Sequence, residues 1–254
     1  MGGGKIRSCT PASQFTGAAS GLGRAIATEL LSRGQPVLIL DRDDEQAQVA
    51  ASELSEQHGI RVPAVVADLS TIAGIHSAAD LLTERSEVGA VVNNAGGWLP
   101  GDQYPDVDPD TWLSAITLNL LAPMLLTQLL WPTLSAAAGA VVTIGSSGGV
   151  GDDPYGSPEY AAAKAGIHRF TASLGSRTDV RVMGIVPGWI GLDRAHHEWA
   201  ALAPNSSGKS DRWSHPRTSR TWSRRSSITG DRAKSSRCCT RAIRTAPPSG
   251  RAIL

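Results

Sequence analysis

Tyr160 and Lys164 stand four residues apart in Tyr-Ala-Ala-Ala-Lys. On a helix that spacing places a phenol and an ammonium on one face. Such pairs are common by chance, so this one gains meaning from its surroundings. Ser146 and Ser147 lie 14 and 13 residues earlier, directly after an apolar run. A second set stands near the N-terminus, where Thr16-Gly17-Ala-Ala-Ser20-Gly21-Leu22-Gly23 opens a helical stretch. A glycine turn that feeds a helix N-terminus offers free N–H groups, a positive dipole end and room for a pyrophosphate. Asp41 lies 18 residues beyond Gly23, where the next apolar run ends. A carboxylate there can hold the hydroxyls of an adenosine ribose and repel a 2′-phosphate. Arg42 offers the opposite, a charge able to meet that phosphate. Asp68 and Leu69 follow a third run, and Asp68 can cap the next helix as well as face a ligand. Asn93-Asn94-Ala95-Gly96 follows a fourth, with small residues that let the backbone approach a ligand and Asn side chains that can tie strands together.

These residues need elements to place them. Apolar runs at 37–40, 62–67, 90–92, 140–144 and 180–186 are short, rich in Val and Ile, and lack strict alternation. That is the pattern of strands buried on both faces. Helical stretches at 22–33, 43–58, 71–85, 109–135 and 158–176 separate them. Strand-helix alternation predicts a parallel sheet covered on both sides, with its ligand site at the carboxyl ends of the strands. The polar residues above follow those ends.

Composition narrows the class. Of 254 residues, 41% are hydrophobic and 19% charged, as in a globular protein. No apolar run approaches the roughly 18–20 residues of a membrane span, and the N-terminus carries no signal-like apolar stretch. A cytoplasmic location is the expectation. Cys9, Cys238 and Cys239 show neither a disulfide framework nor zinc-ligand spacing, so no metal is expected.

In combination, TGAASGLG, NNAG, the Ser…YxxxK set and Val-Pro187-Gly188 resemble the short-chain dehydrogenase/reductase family over residues 16–191. The resemblance implies a single-domain α/β fold, a Rossmann-type doubly wound parallel sheet with helices on both faces. It also implies an NAD(P)-dependent oxidoreductase moving hydride between a nicotinamide and a secondary alcohol or ketone. Tyr160 matches the acid/base. A free phenol, with a pKa of about 10, must be made more acidic for this work, and Lys164 supplies the charge that does so. Lys164 also matches the holder of the nicotinamide ribose. Ser146 matches the hydroxyl that bonds the substrate oxygen, with Ser147 as the alternative, and Asn119 the residue linking Lys164 to a water relay. Thr16, Gly17, Ser20, Gly21, Leu22, Gly23, Asp41, Arg42, Asp68, Leu69, Asn94, Ala95, Gly96, Tyr160, Lys164, Pro187, Gly188 and Ile190 map to the cofactor site. Asp41 makes NAD the preferred cofactor, with NADP the alternative. Gly97-Trp98-Leu99, Tyr155, Trp189 and His196–Trp199 suggest an aromatic wall for an apolar substrate. A homo-tetramer or dimer is the implied assembly. Two positions depart from the pattern: Leu192 replaces a Thr and Met183 an Asn.

The flanks fit less well. Residues 1–15, with Pro11 among polar neighbours, make a poor first strand. The main unit is 16–204, with a substrate lid near 189–204. Residues 1–204 carry 12 Lys or Arg against 21 Asp or Glu (−9), whereas 205–254 carry 12 against 2 (+10). Of the last 50 residues, 23 are Ser, Arg or Lys. Three readings compete: a phosphate-binding tail for nucleic acid, a solvated disordered tail, and a shifted reading frame. Back-translation with one nucleotide inserted after Pro204 gives EQQREVGPLVPPEDVADVVAAII, a loop followed by a capped amphipathic helix. The same operation before Thr16 gives an apolar AGVAV. Nucleic-acid binding is the least expected of the three, and a broken frame would impair assembly. Resequencing the coding DNA is expected to reveal a frame change after codon 204; an unchanged sequence overturns the shifted-frame reading.

Overall fold

The computed structural model describes residues 12–85, 87–98, 101–151, 155–188 and 190, and the backbone of 241–243. Its chain order is β1 (Ala12–Thr16), α1 (Gly21–Ser32), β2 (Val37–Asp41), α2 (Asp44–His58), β3 (Ala64–Val66), α3 (Ile72–Arg85) and β4 (Val88–Asn93). There follow α4 (Pro109–Ile116), a π turn (Thr117–Leu121), α5 (Ala122–Ala136), β5 (Ala140–Ile144), α6 (Pro158–Ser173), β6 (Arg181–Val186) and β7 (Arg241–Ile243). The sheet runs β3-β2-β1-β4-β5-β6-β7. The first six strands are parallel and β7 is antiparallel to β6. Strand order reverses between β1 and β4, and the crevice outside their carboxyl ends is where such sheets take ligands.

The predicted helices form with local support. Asp43 caps α2 by accepting from the Gln46 N–H, Asp44 and Glu45 occupy its first turn, and Gly59 ends it at φ +65°. Asp108 caps α4, which begins with Pro109. The stretch predicted as one helix at 109–135 is interrupted by the π turn. Pro123 has no N–H to give the Asn119 carbonyl four residues back, which disfavours α-winding there.

Two apolar layers hold the sheet. Leu38, Leu40, Val91 and Val141 pack with Ile75 and Leu82 of α3 and Leu126, Leu130 and Leu134 of α5. On the other side Phe15, Ile39, Val92 and Ile144 pack with Ala27 and Leu31 of α1 and Ala47, Ala50 and Leu54 of α2. Burial on both faces explains the missing alternation in the strand sequences.

One expectation is corrected, and two further features add to the sequence reading. The weak first strand is an interior strand: β1 pairs with β2 through Phe15↔Ile39 and with β4 through Phe15↔Val92. Pairing on both sides outweighs its poor side-chain propensity, even with the Gln14 side chain fully buried. The tail contributes β7, which pairs Ile185 with Ala242 and covers the β6 edge. The remaining tail, residues 1–11 and most of the proposed lid lie outside the described residues. Finally, the 28-residue helical stretch Pro109–Ala136 contains a window of mean hydropathy 1.6, which passes a length-and-composition test for a membrane span. Scattered polar residues hide this from a search for unbroken runs. Its buried Ala122, Leu126, Leu130 and Leu134 belong to the core.

Leu126 is fully buried in that core. Leu126→Ala is expected to lower the unfolding free energy by about 2–5 kcal/mol, measured by urea denaturation. A loss under about 1 kcal/mol would contradict this packing.

Candidate active site

The crevice at the β1/β4 switch is closed by a clasp of hydrogen bonds. Thr16 Oγ1 accepts from the N–H groups of Asn94 (3.0 Å) and Ala95 (2.9 Å). Asn94 Nδ2 donates to the carbonyls of Thr16 (3.0 Å) and Gly17 (2.9 Å). These bonds fix the glycine turn against the end of β4. Gly17 sits at φ +61°, and a Cβ there would come within 2.9 Å of Ala95 Cα. A Cβ on Gly23 would press within 2.2 Å of the Gly17 carbonyl. Both positions therefore need glycine. The Ser20 side chain makes no cap hydrogen bond, and the first turn of α1 carries no acidic residue. The free N–H groups of α1 and the close-packed glycines form a cradle that fits a dinucleotide phosphate.

Asp41 stands beside this cradle. Its Oδ2 accepts from the Ala19 N–H (3.1 Å), and its Oδ1 from the Arg42 N–H (2.8 Å). The carboxylate thus supports the glycine turn directly, while the Arg42 side chain is exposed. Asp68 does not cap α3 itself. Its Oδ1 accepts from the Ser70 N–H (2.9 Å) and hydroxyl (2.7 Å), whereas Thr71 accepts from the Gly74 N–H. The Ser70 bonds lower the Asp68 pKa. The Leu69 side chain is buried in the core, which leaves its backbone for any ligand contact.

The other half of the site centres on Gly96. Asn119 lies in the π turn, a distortion frequent at functional sites. Its Oδ1 accepts from the Gly97 N–H (2.9 Å), and its Nδ2 donates to the Gly97 (2.8 Å) and Ala115 (2.9 Å) carbonyls. A Cβ on Gly96 would lie 2.7 Å from Asn119 Oδ1 and 3.1 Å from Lys164 Nζ. Asn119 and Lys164 are therefore brought together across one glycine. Lys164 Nζ donates to the Ile144 carbonyl (3.1 Å) and stands 5.6 Å from the Tyr160 ring centroid. Burial lowers its pKa from 10.5 to about 8.

The serine loop closes over α6. Ser146 is buried and its Oγ accepts from the Gly148 N–H (3.1 Å), whereas Ser147 is exposed. Gly149 lies against the Lys164 backbone, where a Cβ would come within 2.5 Å. Gly148 lies under the Tyr155 ring at similar range. Tyr155 stacks on Tyr160 with centroids 5.7 Å apart, and Trp98 tilts against Tyr155 at 6.2 Å. Trp98, Tyr155 and Tyr160 thus form one aromatic cluster. Leu99, Trp189, Leu192 and His196–Trp199 lie outside the described residues. The Pro187 carbonyl accepts from the Ser147 N–H (2.9 Å). Among the described residues a Cβ on Gly188 would meet nothing within 4 Å. Ile190 is half-buried. Among the described residues no cluster could hold a metal ion. One neighbour of the site was missed in the sequence: His168, whose Nε2 accepts from the Ser146 N–H (3.2 Å). Its spacing of four from Lys164 was the available signal.

Residues 14–202 match the short chain dehydrogenase family. The chain belongs to that family. Sulfoacetaldehyde reductase 2 of Chromohalobacter salexigens is 35% identical over 181 residues, covering 68% of this chain and 70% of that protein. The very-long-chain 3-oxoacyl-CoA reductase of Anas platyrhynchos is 31% identical over 67% of this chain, which spans 55% of that relative's length. A short-chain dehydrogenase from Sphingobium yanoikuyae, solved with NADPH, is 28% identical; its alignment has a TM-score of 0.66 and covers 71% of each chain. In this short-chain dehydrogenase the Asn94–Gly96 turn joins the glycine turn on one side to Asn119 and Lys164 on the other.

The low Lys164 pKa has a direction that can be checked. The ammonium is the form that burial penalises, so the charge is lost as pH rises through about 8. Its burial cost to stability is complete below that pH and fades toward 10.5. Lysine-selective NMR is expected to show Lys164 titrating near 8; a midpoint near 10.5 contradicts its burial.

Proposed function

We propose that this short-chain dehydrogenase interconverts a secondary alcohol and its ketone with a nicotinamide dinucleotide. The observation that carries this reading is the placement of Asn119 and Lys164 across Gly96, with the Tyr160 ring 5.6 Å from the Lys164 ammonium and Ser146 buried at the end of β5. A bound nicotinamide supplies or accepts the hydride. In reduction, the Tyr160 phenol gives its proton to the substrate oxygen; in oxidation the phenolate takes it back. The Lys164 ammonium favours the phenolate and so brings the phenol within reach of neutral pH. The Ser146 hydroxyl donates to the substrate oxygen and steadies its developing charge. Asn119 holds the Gly97 backbone, and with it the floor on which Lys164 rests.

Trp98 and Tyr155 favour an apolar or aromatic substituent next to the reacting carbon. At the adenosine end, the Asp41 carboxylate favours NAD. The exposed Arg42 and the NADPH held by the Sphingobium relative favour NADP. The intact cluster supports an active enzyme over a silent dinucleotide binder. The nearby acidic and basic residues make the choice of cofactor a balance between Asp41 and Arg42.

Purified enzyme is expected to oxidise NADH or NADPH in the presence of an aryl ketone. Tyr160→Phe is expected to lower kcat by about 10²–10⁴-fold while leaving dinucleotide affinity nearly unchanged. Asp41→Ala is expected to shift the kcat/KM ratio toward NADPH. Turnover unaffected by Tyr160→Phe overturns the mechanism.

A further inference from the structure

Ser146 is held from below by a residue outside the assigned set. Its neighbours Gly145 and Ser147 donate their N–H groups to β6 and its extension, at the Ile185 (2.7 Å) and Pro187 (2.9 Å) carbonyls. The Ser146 N–H points elsewhere, to Nε2 of His168 at 3.2 Å. A Cβ on Gly145 would lie 2.1 Å from that same nitrogen and 2.6 Å from Cδ2. The loop backbone therefore rests directly on the imidazole, and only glycine at 145 permits it. Since Nε2 accepts, the neutral ring carries its proton on Nδ1. The Gly149 backbone also acts on this ring, favouring its protonated form. His168 stands one helical turn beyond Lys164 and two beyond Tyr160, on the same face of α6.

We propose that His168 is a positioning residue, whose neutral imidazole holds the Ser146 loop against α6 and whose protonation releases it. The proposal rests on the alcohol-ketone reading above. Once protonated, Nε2 becomes a donor facing the donor N–H of Ser146, and that bond is lost. Thr143, Val182, Gly184, Val186, Thr171 and Ala172 surround the space beside the ring, and none of them titrates. Lys164 is the charged group that acts on it among the described residues. Burial and the Lys164 charge lower the His168 pKa, and the Gly149 backbone partly offsets them. The neutral form thus persists to below pH 6.5, and activity falls only on the acid side of that value. Tyr160 and Lys164 govern the opposite, alkaline side.

The test uses the full chain. In ketone reduction, kcat/KM of the natural protein is expected to drop on an acid limb below pH 6.5. His168→Phe removes the acceptor and is expected to lower kcat at pH 7.5 by about tenfold, the worth of one positioning hydrogen bond. His168→Gln, with an amide oxygen able to accept from Ser146 without titrating, is expected to restore most of that loss and to flatten the acid limb. An acid limb unchanged in His168→Gln overturns the proposal. A second readout needs no turnover: the ¹⁵N shift of the Ser146 amide is expected to follow the His168 ring with one midpoint. A Ser146 amide indifferent to that titration overturns the proposal. Absent turnover with a coupled titration would sink only the alcohol-ketone reading.

Discussion

The clasp between Thr16 and Asn94 is the constraint on which the site depends. β1 and β4 are neighbours in the sheet but 78 residues apart in sequence at the clasp. Their helices leave in opposite directions, and that divergence opens the crevice. A crevice between diverging backbones leaves N–H and C=O groups without strand partners. The Thr16 hydroxyl and Asn94 amide satisfy four of these groups at once. They also set the glycine turn and the Asn94–Gly96 turn at a fixed separation. Gly17 and Gly23 exist because that separation leaves no volume for a Cβ. The dinucleotide cradle is a consequence of how two central strands end.

The same logic organises the catalytic half. Lys164 carries a charge whose solvation has been removed by burial. A single carbonyl bond, from Ile144, replaces part of that solvation. The Tyr160 ring stands 5.6 Å away, and burial leaves the ammonium readier to give up its proton than a solvated lysine. A lysine in that condition responds to any anion formed nearby, such as a phenolate on Tyr160. The π turn carries Asn119, whose amide grips both the N–H and the carbonyl of Gly97. The serine loop completes it, with Gly145, Gly148 and Gly149 each pressed against a side chain or the backbone of α6 or Tyr155.

Much of this was legible in the linear sequence, for particular reasons. Strands buried on two faces announce themselves as unbroken apolar runs, so β2, β4 and β5 were found. Helix ends were marked by residues with local chemistry: Asp43, Gly59, Asp108 and Pro109. β1 was undervalued because its stability comes from pairing with β2 and β4, information that five residues do not carry. The 109–135 helix was foreseen, but its apolarity was masked by scattered polar residues. Asp68 was read as a cap, yet the competition among Asp68, Ser70 and Thr71 for the first turn of α3 is settled by geometry, in favour of Thr71.

The sequence by itself determined the family, the order of elements and the identity of the polar groups at the strand ends. Those depend on residue type and spacing along one chain. Tertiary structure decided which of two adjacent serines is buried, since Ser146 and Ser147 differ only in which way the backbone turns beyond β5. It decided that Asp41 braces the glycine turn through Ala19, and that His168 lies under Ser146. Each of these is a contact between residues 22 apart in the chain. Their distance is fixed by sheet pairing and helix packing, and no local propensity encodes it.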